Sequence, residues 1–158
     1  MQRAKKLFIK EAIKIADENI NNTINGPFGA IIVKDGIIVG RGANSVASTN
    51  DPSAHAEVNA IRDACKNLNT FQLDDCDIYT SCEPCPMCLG IIYWARLKNI
   101  YYACDKKDAA DAGFDDAFIY DEFKLNIDKR KIPAIQINHD DAKKVFKKWT
   151  DKQDKICY

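Results

Sequence analysis

The 158-residue chain lacks any run of about 18 consecutive apolar residues, so no membrane span is expected. It also lacks an excess of charge: 23 Lys and Arg stand against 23 Asp and Glu, which argues against a protein that holds long polyanions by bulk attraction. Nucleic acid is therefore not an expected partner. Repeats, linkers and low-complexity tracts are absent, so residues 1–158 read as one domain, long enough to bury about 70% of its unfolded surface without a disulfide framework. The first twenty residues carry Lys and Glu throughout and read as an amphipathic helix, not a signal peptide. Cysteine is plentiful instead. Seven is an odd number, unsuited to a secreted disulfide scaffold, and the crowding of Cys82, Cys85 and Cys88 favours a metal in a reducing cytoplasm.

Apolar residues from Ala4 to Ala16 recur at helical spacing and predict a helix ending before Asn21-Asn22-Thr23. Residues 28–33 and 37–41 are β-rich runs around Asp35-Gly36, a dipeptide favoured in tight hairpin turns. Pro52 suits a first helical position behind Asp51, which predicts a second helix with good helix formers over residues 54–65. A strand is expected at 78–81, a helix at 85–96 entered through two prolines, and a strand at 99–104. A short helix near 115–123, a strand at 134–138 and a Lys-rich helix from 140 to about 154 complete the chain. Alternation of strands and helices, together with the hairpin, predicts an α/β fold: three α/β/α layers with a central mixed sheet.

Two local motifs carry the chemistry, His55-Ala56-Glu57 and Pro84-Cys85-Pro86-Met87-Cys88. One imidazole and two thiolates make the three protein ligands usual for catalytic Zn²⁺, leaving a position open to water. A helix N-terminus favours thiolate over thiol at Cys85 and Cys88, and the prolines lose little where first-turn amides lack intrahelical partners. A bound metal lowers the pKa of its water, and Glu57 is placed to take the proton. Two residues from His55, Glu57 would point away from the ligand direction along an ideal helix, which suggests an acid/base neighbour and not a fourth ligand. H-x-E followed by P-C-x-x-C is the signature of zinc-dependent nucleobase deaminases.

From Pro27-Phe28-Gly29-Ala30 through His55-Ala56-Glu57 to residues 80–88, the chain resembles the cytidine deaminase-like superfamily, and residues 103–120 look like its guanine deaminase branch. The resemblance implies Zn²⁺ held by His55, Cys85 and Cys88, and hydrolytic deamination of guanine, a small purine base, to xanthine and ammonia. It implies Glu57 as proton shuttle and Asp116, within Gly113-Phe114-Asp115-Asp116, as a second proton carrier. It further implies that Asn44 hydrogen-bonds the base and that Phe28, Ala56, Trp94 and the C-terminal Tyr158 help form the pocket. A homodimer with exchanged C-terminal segments is implied as well.

Other readings stay open on the sequence alone. Cys82 would extend the pair to C-x-x-C-x-x-C, and with His55 could close a four-ligand structural zinc site without enzymatic function. A tRNA adenosine deaminase shares the zinc motifs. Asn44 could serve a turn, Trp94 among Ile91, Ile92 and Ala95 suggests core packing, and His139 reads as a surface residue. Lys143, Lys144, Lys147, Lys148, Lys152 and Lys155 read as a solvated helix face.

Overall fold

Asp35 and Gly36 both adopt left-handed backbone, with φ of 49° and 78°, the requirement of the two-residue turn that matches strand twist. They join β1 (Gly29–Lys34) to β2 (Ile37–Ala43) in an antiparallel hairpin with a bulge between Ile32 and Val33. On its other side β1 pairs antiparallel with β3 (Cys76–Cys82), and β3 pairs in parallel with β4 (Asn99–Cys104). The four-stranded order is β2-β1-β3-β4, a mixed sheet as expected. The computed structural model describes residues 2–157, in two compact units, Met1–Asp116 and Ala117–Tyr158.

In the first unit, alternation along β1 sends Ile31 and Val33 to one face and Ala30 and Ile32 to the other. The first pair, with Tyr79, packs against Phe8, Ile9 and Ile15 of α1 (Gln2–Asn22). The opposite pair packs against Ala60 and Ala64 of α3 (Ala56–Leu68) and Ile92 of α4 (Pro86–Trp94). Helix α4 is the crossover that parallel β3 and β4 require. The contact between sheet and α3 is close: a Cβ on Gly42 would collide with the carbonyl oxygen of Ala56 and the amide of Ala60. That closeness locks the start of α3 against β2.

Two short helices were not foreseen, α2 (Val46–Thr49) in the polar loop and α5 (Lys106–Asp111) after β4. Expected helix boundaries shift: α1 runs on through Asn22, past the stop expected before Asn21, and α3 starts late. Pro52 lies in a turn and the helix starts at Ala56, because the Asp51 carboxylate accepts from the Ser53 amide (2.8 Å) and hydroxyl (2.7 Å). That local turn competes with helix initiation. The second unit holds α6 (Ala117–Lys124), a 3₁₀ turn (Ile127–Lys129) and α7 (His139–Asp151). The strand expected at 134–138 is absent: this stretch is irregular, and Ile135 and Ile137 are exposed. Period-two alternation makes a strand only beside a ladder partner. His139 is exposed at the start of α7, whose Lys144 and Lys147 pair with Asp141 and Asp151 at the surface.

Candidate metal centre

His55 and Cys85 occupy equivalent places, each the residue immediately before its helix, α3 or α4, with extended backbone (ψ 157° and 169°). Neither side chain caps its own helix, so imidazole and thiol are free to face each other. Pro86 opens α4, and Cys88 follows in its first turn, buried. The sulfurs of Cys85 and Cys88 stand 3.6 and 3.5 Å from His55 Nδ1. Ligand bonds of about 2.3 Å for Zn–S and 2.05 Å for Zn–N at tetrahedral angles give an N···S edge of about 3.6 Å. Both N···S edges therefore match a zinc site, and all three ligand atoms lie within 4.8 Å of one another.

Cys82 stands apart from this group. Among the described residues the His, Cys, Asp and Glu set able to share one ion here is His55, Cys85 and Cys88. The Cys82 thiol donates instead to the Asp105 carbonyl at 3.6 Å, and burial pushes it up to about 11. Among the described residues Cys82 therefore does not join His55, Cys85 and Cys88 in a four-ligand set.

Electrostatics within the cluster divide the two thiols. The facing Cys88 thiol and the His55 ring bring Cys85 down to about 4, against the opposing effect of burial. Cys88 is pushed up by its Cys85 neighbour and by burial, and Cys85 in turn raises His55. Such a pair readily gives up its first proton, as metal binding requires.

Glu57 is buried at 6% exposure, and chiefly for that reason its carboxyl is raised. It does not point away from the site as ideal helical spacing suggested. His55 precedes the helix with extended backbone, so the helical angle between the two residues does not apply, and the Glu57 carboxyl lies against Cys88 within electrostatic reach of Cys85 and His55. Ala56 has no exposed side chain; what it offers is a first-turn amide without intrahelical acceptor.

Asn44 is buried, its Oδ1 accepting from the Val46 amide at 3.3 Å and its main-chain amide donating to the Phe28 carbonyl at 3.0 Å. Asn59, one turn into α3, donates to the Ala43 carbonyl at 2.8 Å and to the Ser45 hydroxyl at 3.1 Å, so the helix that follows His55 also holds the Asn44 loop. Gly113 turns the chain after α5 with φ of 92°. Phe114 then meets Phe28 edge-on, ring centres 4.9 Å apart and planes at 85°. Asp116 follows, half-buried; burial raises its carboxyl, and the Cys85 charge adds to the shift. Trp94 is 67% exposed, not packed in the core. Tyr158 lies outside the described residues. Asn59 and Phe114 were not singled out from sequence, although an asparagine inside a helix runs against propensity and could have flagged the first.

Residues 2–104 match the cytidine and deoxycytidylate deaminase zinc-binding region. The chain belongs to this family. It is a zinc-binding deaminase domain, a hydrolase by family, with His55, Cys85 and Cys88 positioned to hold the ion. It is 54% identical over 151 residues to a guanine deaminase of Bacillus subtilis, covering 96% of this chain and 97% of that one. The X-ray structure of the Bacillus subtilis guanine deaminase superposes with a TM-score of 0.94 at 53% identity, over 97% of this chain and 98% of that chain. A tRNA-specific adenosine deaminase of Aquifex aeolicus is 43% identical over 104 residues, 65% of this chain and 68% of its own. No helix among the described residues is long and apolar enough to cross a membrane.

Proposed function

We propose that the protein hydrolyses guanine to xanthine and ammonia. The observation that carries this is the reach of the similarity: it covers 96% of the chain for a guanine deaminase and 65% for a tRNA adenosine deaminase. A chain with no net charge also suits a small base better than an RNA.

His55, Cys85 and Cys88 would hold the metal. When bound, zinc supplies Lewis acidity that makes a water nucleophilic near neutral pH. Glu57 takes a proton from the attacking water and delivers it to a ring nitrogen. Its burial supports that role, because a raised carboxyl accepts a proton more readily than an exposed one. The amine of a tetrahedral carbon leaves poorly unless protonated, and Asp116 assists there, also with a raised carboxyl. Asn44 hydrogen-bonds the base, the Ala56 amide lies beside it, and Phe28, Trp94 and Tyr158 wall the pocket.

The residues act as one domain over 1–158, in a homodimer that exchanges C-terminal segments. Support comes from β4, whose outer edge has no ladder partner among the described residues, and from the apolar 132–138 run, which has none either. Thiolate ligands suit a reducing compartment, the cytoplasm.

Ammonia release from a panel of free bases and nucleosides, beside adenosine in an RNA loop, tests the reading. Guanine should turn over fastest; conversion of the RNA with guanine untouched would reject it. Glu57→Gln should keep the metal and fold yet abolish turnover, and unchanged activity would remove the shuttle role.

A further inference from the structure

Near the end of α1, Asn19 is 7% exposed and uses its whole amide. Its Nδ2 donates to the Gly26 carbonyl at 2.8 Å and to the Asn44 carbonyl at 2.9 Å, and its Oδ1, at 3.2 Å, shares the Thr23 hydroxyl hydrogen with the Asn19 main-chain carbonyl at 2.7 Å. The two carbonyls belong to different loops. One loop carries Phe28, which meets Phe114 edge-on; the other carries Asn44, whose main-chain amide returns to the Phe28 carbonyl at 3.0 Å. Asn44 Nδ2 has no hydrogen-bond partner among the described residues, so the amide end that could meet a ligand stands on a backbone that Asn19 fixes.

We infer that Asn19 is a positioning residue for the base, setting the separation of Asn44 and Phe28 through their main chain. The inference rests on the guanine reading of the site. Asparagine is a poor helix former, and polar burial there is favourable only because both donors and the acceptor are matched. Deleting the amide leaves the buried Asn44 carbonyl unsatisfied and the Gly26 carbonyl with only the Phe28 amide at 2.9 Å, which favours displacement of the Asn44 loop. The loops remain attached elsewhere: Asn25 accepts from the Ser48 amide at 3.0 Å and donates to its hydroxyl at 3.1 Å, and Asn59 holds Ala43. Loss of Asn19 should therefore loosen the pocket without undoing the fold.

The test is steady-state ammonia release from guanine by wild type, Asn19→Ala, Asn44→Ala and the double variant, with zinc content and melting temperature measured on each. Asn19→Ala should raise KM about tenfold, with kcat changed less than about threefold and zinc retained, the signature of lost uniform binding. The double variant should have a KM close to that of Asn44→Ala, because Asn19 acts through Asn44. An unmoved KM, additive effects, or a fall in kcat that tracks zinc loss would each overturn the inference. Should Asn19→Ala not fold, Asn19→Asp keeps the size while removing the donors; absence of folded protein there too would make the residue structural and end the proposal. A wild type inactive on guanine would overturn the functional reading together with this inference, whereas an active wild type with an unmoved KM in Asn19→Ala overturns this inference alone.

Discussion

The Cys82 thiol donates to the main-chain carbonyl of Asp105 at 3.6 Å, so the last residue of β3 is tied to the entry of α5 and not to the metal ligands three and six residues later. Cys82→Ala should bind one zinc per chain as the wild type does, while Cys85→Ala and Cys88→Ala should lose it. Removing a ligand from a three-residue set leaves too few donors, whereas removing Cys82 costs one weak hydrogen bond. Metal analysis of the purified variants decides: zinc lost from Cys82→Ala would place its sulfur in the coordination sphere.

The contact of Gly42 with the start of α3 is a stability device with a functional address. Any Cβ at residue 42 must displace the backbone of Ala56 and Ala60, and neither is a flexible side-chain end. Gly42→Val should destabilise by about 1–3 kcal/mol, the usual result of overpacking, and should weaken zinc binding because His55 directly precedes Ala56. Gly36→Ala is the control, strained at φ of 78° but with nothing near its Cβ, and it should leave zinc affinity alone. Thermal melts with and without a chelator measure both effects. A Gly42→Val protein as stable as wild type would mean that the close approach does not exist in solution.

Much of this arrangement was legible in the residues. Asp35-Gly36 announced the hairpin because two positive φ values admit few other residues. H-x-E and P-C-x-x-C announced the ligands because their chemistry is local. What stayed hidden depended on competition or on distance. Asp51 looked like a helix cap and Pro52 a first helical residue, but the carboxylate turned to Ser53 and delayed α3 to Ala56. The orientation of Glu57 followed from that delay, since helical spacing cannot be applied to a His55 that stands outside the helix. Short α5 could have been found from Asp105-x-x-Asp108, whose reciprocal capping bonds the fold uses. Residues 134–138, with Ile135 and Ile137 two apart, suggested a strand, but pattern alone supplies no ladder. The asparagine ties of Asn19 and Asn59 join residues up to 25 apart in the chain and have no sequence signature beyond an unfavourable helix residue.

Acid stability provides a test of the Asp51 turn. The Ser53 hydroxyl and amide hold the Asp51 carboxyl below the usual aspartate range. A folded-state pKa depressed below the unfolded value of about 3.9 contributes stability above that value, and the contribution is lost as pH falls through it toward the folded pKa. Asp51→Asn should therefore melt below the wild type by a constant margin above about pH 5 and by a shrinking one under about pH 4. Melting curves from pH 3 to 7 measure the margin; an identical gap at both ends would show that the carboxylate charge plays no part.

The proposed exchange of C-terminal segments makes the oligomeric state sensitive to residues far from the zinc ligands. Ile135 and Ile137 are 80% and 78% exposed in the single chain, on a stretch with strand-like alternation, and the outer edge of β4 has no ladder partner among the described residues. A strand contributed by a second copy would satisfy both at once, burying the isoleucines and completing the ladder. Ile135→Asp with Ile137→Asp should then convert a dimer to a monomer in sedimentation equilibrium while residues 2–116 keep their zinc. Guanine turnover should fall with it, because Tyr158 would no longer reach a partner's pocket. Mixed dimers sharpen the point: one subunit carrying Glu57→Gln and the other truncated before Tyr158 retain one complete site under exchange only when the intact tail meets the intact carboxylate. In that pairing the intact tail of the Glu57→Gln subunit enters the truncated subunit's Glu57 site, so turnover should persist at about half the wild-type level per dimer. Turnover near zero in the purified mixed dimer would show that each tail closes its own site.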